Sequence, residues 1–583
     1  MCSFQLYEKL LMSDMEKKLS SPTRTRQSVE HGEIDYLRFH GLSQQQTHIR
    51  NLDSLALNAN DKDKSRLLKE AQANLEFVAD TGYAPELRRD FSFISLLGLG
   101  FGITNSWFGI SGSLIAGISS GGPMMIIYGI IIVASVSMCI AITLSEMASA
   151  YPNASGQIYW TMKLAPAKYS KLMSYITGML SWLGSIFTSA SVTMTIATAV
   201  VGMYMLHHPN DTVERWQVFI VYEIVNVLLV FFNIWEKPLP MLSSGTLYVS
   251  LFSFAVIIIV VLSMHEGDFQ SSRFVFVEFE NGTGWSSSGI AFIVGLINPN
   301  WSFSCLDAAT HIAEESLNPG VQIPQAIIST VIVGFITSFS YCIAMFFSIK
   351  DLSSILSSNT GVPIMDIFYQ ATNSKAAAVG LEVLILLTAI GCNIGCHTWQ
   401  ARIGWSFARD NGLPFSKYWS KINSKTGTPV NAHVMSCFWV AIIGCIYLGS
   451  STAFNSILVS CVTFLLLSYF VPTIFFIFKR NQIKRGPFFL SNGVGLVCNI
   501  VLCCWATFAF IFYNFPSVMP VSGGNMNYSS AVFGVALIIC FFDWILRGRR
   551  EYIGLQEREG QKEELTEVLS NQLSNIEMSM SHK

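Results

Sequence analysis

Charge is what this sequence has least of. Only 13% of its 583 residues are Asp, Glu, Lys or Arg, against 51% hydrophobic, whereas a soluble domain carries about 25% charged residues. A soluble protein of this length needs a polar surface that this composition cannot supply, so a membrane protein is expected. Charge is also missing in blocks. None of the four charged types occurs between Asp90 and Glu146, Lys171 and Asp211, Lys425 and Lys479, or Arg485 and Asp543. A spanning helix needs roughly 20 apolar residues. The first, third and fourth blocks each hold two spans, and the second holds one long, tilted span.

Other absences narrow the function. The net charge of −2 gives no reason to expect a nucleic-acid partner. The first residues lack the basic start, short apolar run and small-residue cleavage site of a signal peptide. No nucleophile–base arrangement appears, so an enzyme is not expected, nor is any cofactor. Of thirteen cysteines, all but Cys2 fall in apolar segments, where free thiols pack as small apolar groups. Cys392, Cys396 and His397 have a loose metal-site spacing. They sit in an apolar helix without a partner motif, so no metal is expected there.

What is present is an all-α polytopic pattern. Spans are expected at 93–118, 122–149, 171–205, 216–235, 242–265, 289–312, 326–349, 376–400, 433–449, 455–478, 493–514 and 529–547, with polar tails at 1–86 and 551–583. The tails read as disordered, with some local helix. A cytoplasmic N-terminus puts eighteen Lys and Arg inside, including Arg402, Arg409 and Arg480, and four outside. The positive-inside rule therefore puts both termini in the cytoplasm. The sequons at Asn210 and Asn281 then fall outside.

Two spans carry breaks. Gly98-Leu-Gly-Phe-Gly-Ile-Thr-Asn-Ser-Trp-Phe-Gly lies within the first. Its glycines suit close helix packing, but with Thr104, Asn105 and Ser106 they also weaken the helix. Irregular backbone at membrane depth is tolerated only where it is buried or lines a wet cavity. In the sixth span a break is expected over Gly295-Leu-Ile-Asn-Pro-Asn-Trp-Ser-Phe-Ser, residues 295–304, where Pro299 between Asn298 and Asn300 removes a backbone donor. Broken helices one and six are where two five-helix inverted repeats place a midplane site. Trp107, Phe108, Trp301 and Phe303 bring aromatic faces to both breaks, which suits an organic cation. Freed N–H groups equally suit the carboxylate of an amino acid. Asp307 and His311, one turn apart, form a possible proton relay, with a structural carboxylate as the alternative. Glu223 and Glu382 also lie within spans. Glu314 and Glu315 are expected at the inner surface.

Several long motifs resemble the amino acid–polyamine–organocation superfamily, and within it the fungal choline and GABA permease branch. They are Leu-Gly-Phe-Gly-Ile-Thr-Asn-Ser-Trp-Phe-Gly-Ile-Ser at 99–111, Gly-Ile-Ser-Ser-Gly-Gly-Pro at 117–123 and Glu-Met-Ala-Ser-Ala-Tyr-Pro-Asn-Ala-Ser-Gly-Gln at 146–157. Phe-Ile-Val-Gly-Leu-Ile-Asn-Pro at 292–299, Trp-Ser-Phe-Ser-Cys-Leu-Asp at 301–307 and the 396–414 stretch carry the same likeness. The resemblance implies a five-plus-five repeat with two peripheral helices and proton-driven uptake of choline, with ethanolamine a second substrate, across the plasma membrane. It implies substrate contact at Thr104, Asn105, Ser106, Trp107, Phe108, Asn300, Trp301, Ser302 and Phe303. A GABA or amino-acid permease of the same fold, and a transporter-like nutrient sensor, are the alternatives.

Overall fold

The computed structural model describes residues 86–581 and, before them, positions 72, 75, 78 and 83. The rest of the expected N-terminal tail lies outside the described residues. Leu87–Leu555 forms one compact unit, and the chain on either side of it forms a second.

Among the described residues of the large unit there is no strand, only an isolated bridge between Phe91 and Ser316. Among the described residues, eleven helices are long and apolar enough to cross a membrane. We label the first crossing α1 (Phe93–Thr104) and α2 (Ser106–Gly112). Crossings two to five are α3 (Gly122–Ala150), α4 (Ala167–His207), α5 (Arg215–Val230) and α6 (Leu239–Ser263). The sixth crossing comprises α7 (Ser288–Gly295), α8 (Ile297–Ser302) and a 3₁₀ run, Ala308–Glu315. It is the expected span without a single long helix. Then follow α9 (Pro319–Phe347), α10 (Lys375–Arg409), α11 (Val430–Gly449), α12 (Ser451–Lys479), α13 (Asn492–Phe512) and α14 (Ser529–Asp543).

The glycines of the first crossing remain helical and serve packing. A Cβ at Gly98 would stand 2.2 Å from the Ser243 carbonyl oxygen, so α1 lies directly on α6. A Cβ at Gly109 would stand 2.8 Å from the Ser302 Cα, which seats α2 on α8. Lipid offers no hydrophobic drive for helix association, so such close approaches carry much of the packing.

Three expectations need correction. The sixth break, expected over residues 295–304, runs further along the chain. The helix restarts at Ile297, so Pro299 sits in a first turn, where its missing N–H has no intrahelical acceptor to lose. Beyond the one-residue interruption at Leu296, the longer one runs from Phe303 to Asp307, with Cys305 left-handed at φ 64. Glu314 and Glu315 are not on an open surface. They are 2% and 0% exposed, and paired with Arg409 and Arg402 at 2.7 and 3.0 Å. Those arginines therefore belong to α10 and not to a loop, and Arg480 likewise closes on Glu146 within the bundle. A buried charge is tolerated only when paired, and the separation of partners by 87 to 334 positions hides this from a linear reading.

In the second unit, the polar C-terminal stretch forms one helix, α15 (Leu555–Ser581). Leu565 and Leu569, four apart on one face, are buried together with Val78. That apolar stripe gives the stretch more order than its polar composition suggests.

Candidate functional site

Each break turns on one left-handed residue. Asn105 (φ 32, ψ 66) separates α1 from α2, and Cys305 lies in the second break. Asn tolerates this conformation better than other non-glycine residues. The residues just before them are joined: the Thr104 hydroxyl donates to the Ser304 carbonyl at 3.0 Å. The two breaks are thus one structure.

At the first break, Asn105 accepts from Gly109 N–H through its carbonyl, and its own N–H donates to Phe101. Ser106, Trp107 and Phe108, as the first turn of α2, present N–H groups with no acceptor in the preceding turn. Ser250 of α6 holds the bend. Asn105 Nδ2 and Trp107 Nε1 both donate to its hydroxyl oxygen at 3.0 Å, and the hydroxyl lies 3.2 Å from Asn105 Oδ1.

The expected site residues divide accordingly. Asn105 and Trp107 face Ser250, and the Trp107 ring packs on Phe254 and Tyr341 with centroids 6.2 and 5.3 Å away. Ser106 and Phe303 close on Gly334 of α9. Asn300 donates to the Tyr513 hydroxyl at 2.8 Å, away from α2. Ser302 packs on Gly109. Of the four aromatic residues, Phe108 and Trp301 meet, with centroids 6.4 Å apart across the two broken helices. Helical phase explains the division, since neighbours on a helix point about 100° apart.

Phe108 also lines a cavity of about 30 Å³ with Ser111, Thr195, Pro363 and Glu382. One oxygen of the Glu382 carboxylate has no hydrogen-bond partner among the described residues, although the side chain is 1% exposed. Only its position inside a span marked Glu382 in the sequence, because α10 is far from both breaks along the chain. Asp307 and His311 are in contact as expected, 3.0 Å apart. Each oxygen of that carboxylate already has a donor: Gln157 donates at 2.8 Å and Tyr469 also donates.

The metal-like trio does not assemble. Cys392 donates to the Ile103 carbonyl at 3.2 Å, while His397 gathers with His433 and Cys437 of α11.

Residues 91–538 match the family described as amino acid permease. The chain is 53% identical to a choline transporter of Saccharomyces cerevisiae, over 84% of this chain and 86% of that protein. It is 36% identical to a 7-keto 8-aminopelargonic acid transporter of the same yeast, over 77% of this chain and 91% of that one. It is 34% identical to a swainsonine transporter of Arthroderma benhamiae, over 80% and 92%.

Proposed function

This chain belongs to the amino acid permease family, and from that premise we propose that it imports choline across the plasma membrane, with both termini cytoplasmic, by proton-coupled alternating access. The observation that carries this reading is the Phe108–Trp301 pair, one ring from each broken helix, beside an unpaired carboxylate. A quaternary ammonium group donates no hydrogen bond. Aromatic faces and a nearby negative charge are the groups that bind it, at up to about 2 kcal/mol per desolvated ring. The 53% identity to a choline transporter supports the same substrate. Ethanolamine, a smaller ammonium, is the second candidate.

The cavity beside Phe108, at about 30 Å³, admits water and excludes a trimethylammonium group. Substrate entry therefore requires the broken helices to part from the surrounding helices. The third crossing packs on the tenth and the fifth on the eighth, the reciprocal pattern of a five-plus-five repeat, which supports a rocking motion. The paired Glu146, Glu314 and Glu315 close the inner end.

For proton coupling, Glu382 is the better acceptor. Asp307 already accepts from Gln157 and Tyr469, whereas Glu382 faces a water-sized space. The test is uptake of labelled choline in cells lacking their own permeases, at two external pH values. Wild type should take up more at the lower pH, and Glu382→Gln should flatten that dependence, with choline exchange persisting at a raised KM. Equal pH dependence in both proteins rejects the role of Glu382. No choline uptake by the wild type rejects choline.

A second reading, an amino-acid permease, is favoured by the free N–H groups of Ser106–Phe108, which suit a carboxylate. Competition of choline uptake by GABA decides between the two.

A further inference from the structure

A second cluster of chemically capable side chains lies away from the breaks, where α10, α11 and the end of α5 meet. His433 and Cys437 are four residues apart on α11, and so share one face. His397 comes from α10. The side chains are 1%, 4% and 0% exposed. Cys437 Sγ lies 3.6 Å from His433 Nδ1 and 3.7 Å from His397 Nδ1, and the donor atoms of all three lie within 4.8 Å of one another.

These distances fit a common metal ion. Zinc sits about 2.3 Å from sulfur and about 2.0–2.1 Å from imidazole nitrogen, so a tetrahedral angle separates the two ligands by roughly 3.5 Å. The surroundings fit as well. His433 Nε2 lies 3.0 Å from the Val230 carbonyl. A carbonyl only accepts, so Nε2 carries the proton and Nδ1 keeps its lone pair toward Cys437. A ligating histidine is held in this way by its other nitrogen. Gln400, one turn beyond His397, approaches Cys437 Sγ to 3.5 Å with its amide. Turning that amide over brings Oε1 to the same place, at the separation a fourth ligand needs. As it stands, Gln400 Oε1 is buried without a partner, an expensive state for a polar atom at membrane depth.

We propose that His397, His433 and Cys437, with Gln400 as the fourth donor, bind one d¹⁰ ion, Zn²⁺ or Cu⁺, which ties α10 to α11. Thiolate and imidazole together suit both ions. On binding, the Cys437 thiol loses its proton to solvent, and the thiolate neutralises one charge of the ion. The site is a clamp within the helices that flank the broken pair, and takes no part in holding the substrate.

The test is the metal content of the intact protein, purified in detergent without chelator, with zinc and copper measured in parallel. The wild type is expected to hold about one ion per chain, and Cys437→Ser and His433→Ala close to none. Cys392→Ser, outside the cluster, should keep the metal. Adding Zn²⁺ or Cu⁺ to chelator-treated wild type should raise its thermal midpoint and leave that of Cys437→Ser unmoved. X-ray absorption on the wild type alone should show one sulfur and two or three nitrogen or oxygen neighbours, a measurement that survives poor folding of any variant. The proposal is overturned by wild-type metal content no higher than that of Cys437→Ser, by absence of a thermal shift, or by a bound metal without a sulfur neighbour.

Discussion

Replacing Ser250 with alanine tests whether the first break is held open from α6. Ser250 Oγ accepts from both Asn105 Nδ2 and Trp107 Nε1 at 3.0 Å, and Ser250, Asn105 and Trp107 are all 0% exposed. Alanine leaves two buried donors unmet. In a soluble core each would cost about 1–3 kcal/mol. Within membranes side-chain hydrogen bonds average about 0.6 and reach about 1.7 kcal/mol, so about 1–3 kcal/mol in total is expected. Holding a non-glycine residue left-handed costs about 1–2 kcal/mol. The two quantities are comparable, and Ser250→Ala should therefore let Asn105 leave its left-handed conformation. The maximal rate of choline uptake should fall at least tenfold at equal surface expression, and the thermal midpoint of purified protein should drop. Ser250→Thr, which keeps the hydroxyl, should recover most of both. Wild-type uptake and an unchanged midpoint in Ser250→Ala would refute the claim that this hydroxyl sets the break.

Other perturbations separate recognition from packing. Phe108→Leu keeps volume and removes the ring face, so the KM for choline should rise by about 5- to 30-fold, the equivalent of about 1–2 kcal/mol. Trp301→Ala should abolish uptake while the protein still reaches the membrane, as surface labelling would show; normal uptake would remove the aromatic pair from the site. Gly98→Val should stop delivery to the membrane, because its Cβ meets the Ser243 carbonyl at 2.2 Å. Arg480→Met leaves Glu146 buried without its counter-charge, which costs about 3–5 kcal/mol. Adding Glu146→Leu should restore much of the thermal midpoint, and no recovery would mean that the pair does more than neutralise charge.

The breaks show where a linear reading stops. The first was visible because Thr104, Asn105 and Ser106 follow one another among glycines, and left-handed backbone is a property of adjacent residues. The second was expected over residues 295–304, which takes in the interruption at Leu296 and the start of the longer one at Phe303–Asp307, but its far end was not readable. Proline disrupts a helix interior and not a first turn, and which of these Pro299 occupies depends on where the preceding helix ends. The aromatic residues lie at the two broken segments, but only Phe108 and Trp301 come together. Their directions were not readable, since a bend at Asn105 resets the helical phase and sends Trp107 toward Ser250 while Phe108 meets Trp301.

The sequence alone settles that this chain is a many-helix membrane protein with interrupted first and sixth crossings. Those features follow from hydropathy, charge spacing and local backbone chemistry, each a property of a short window. The tertiary structure decides which side chains act together. Glu382 meets Phe108, Asp307 meets Tyr469, His397 leaves Cys392 for His433 and Cys437, and Arg402 and Arg409 find Glu315 and Glu314. The physical reason is that lipid penalises every unmet charge and polar group. Partners are therefore chosen by which helix faces come together, and helix packing brings together residues that lie tens to hundreds of positions apart.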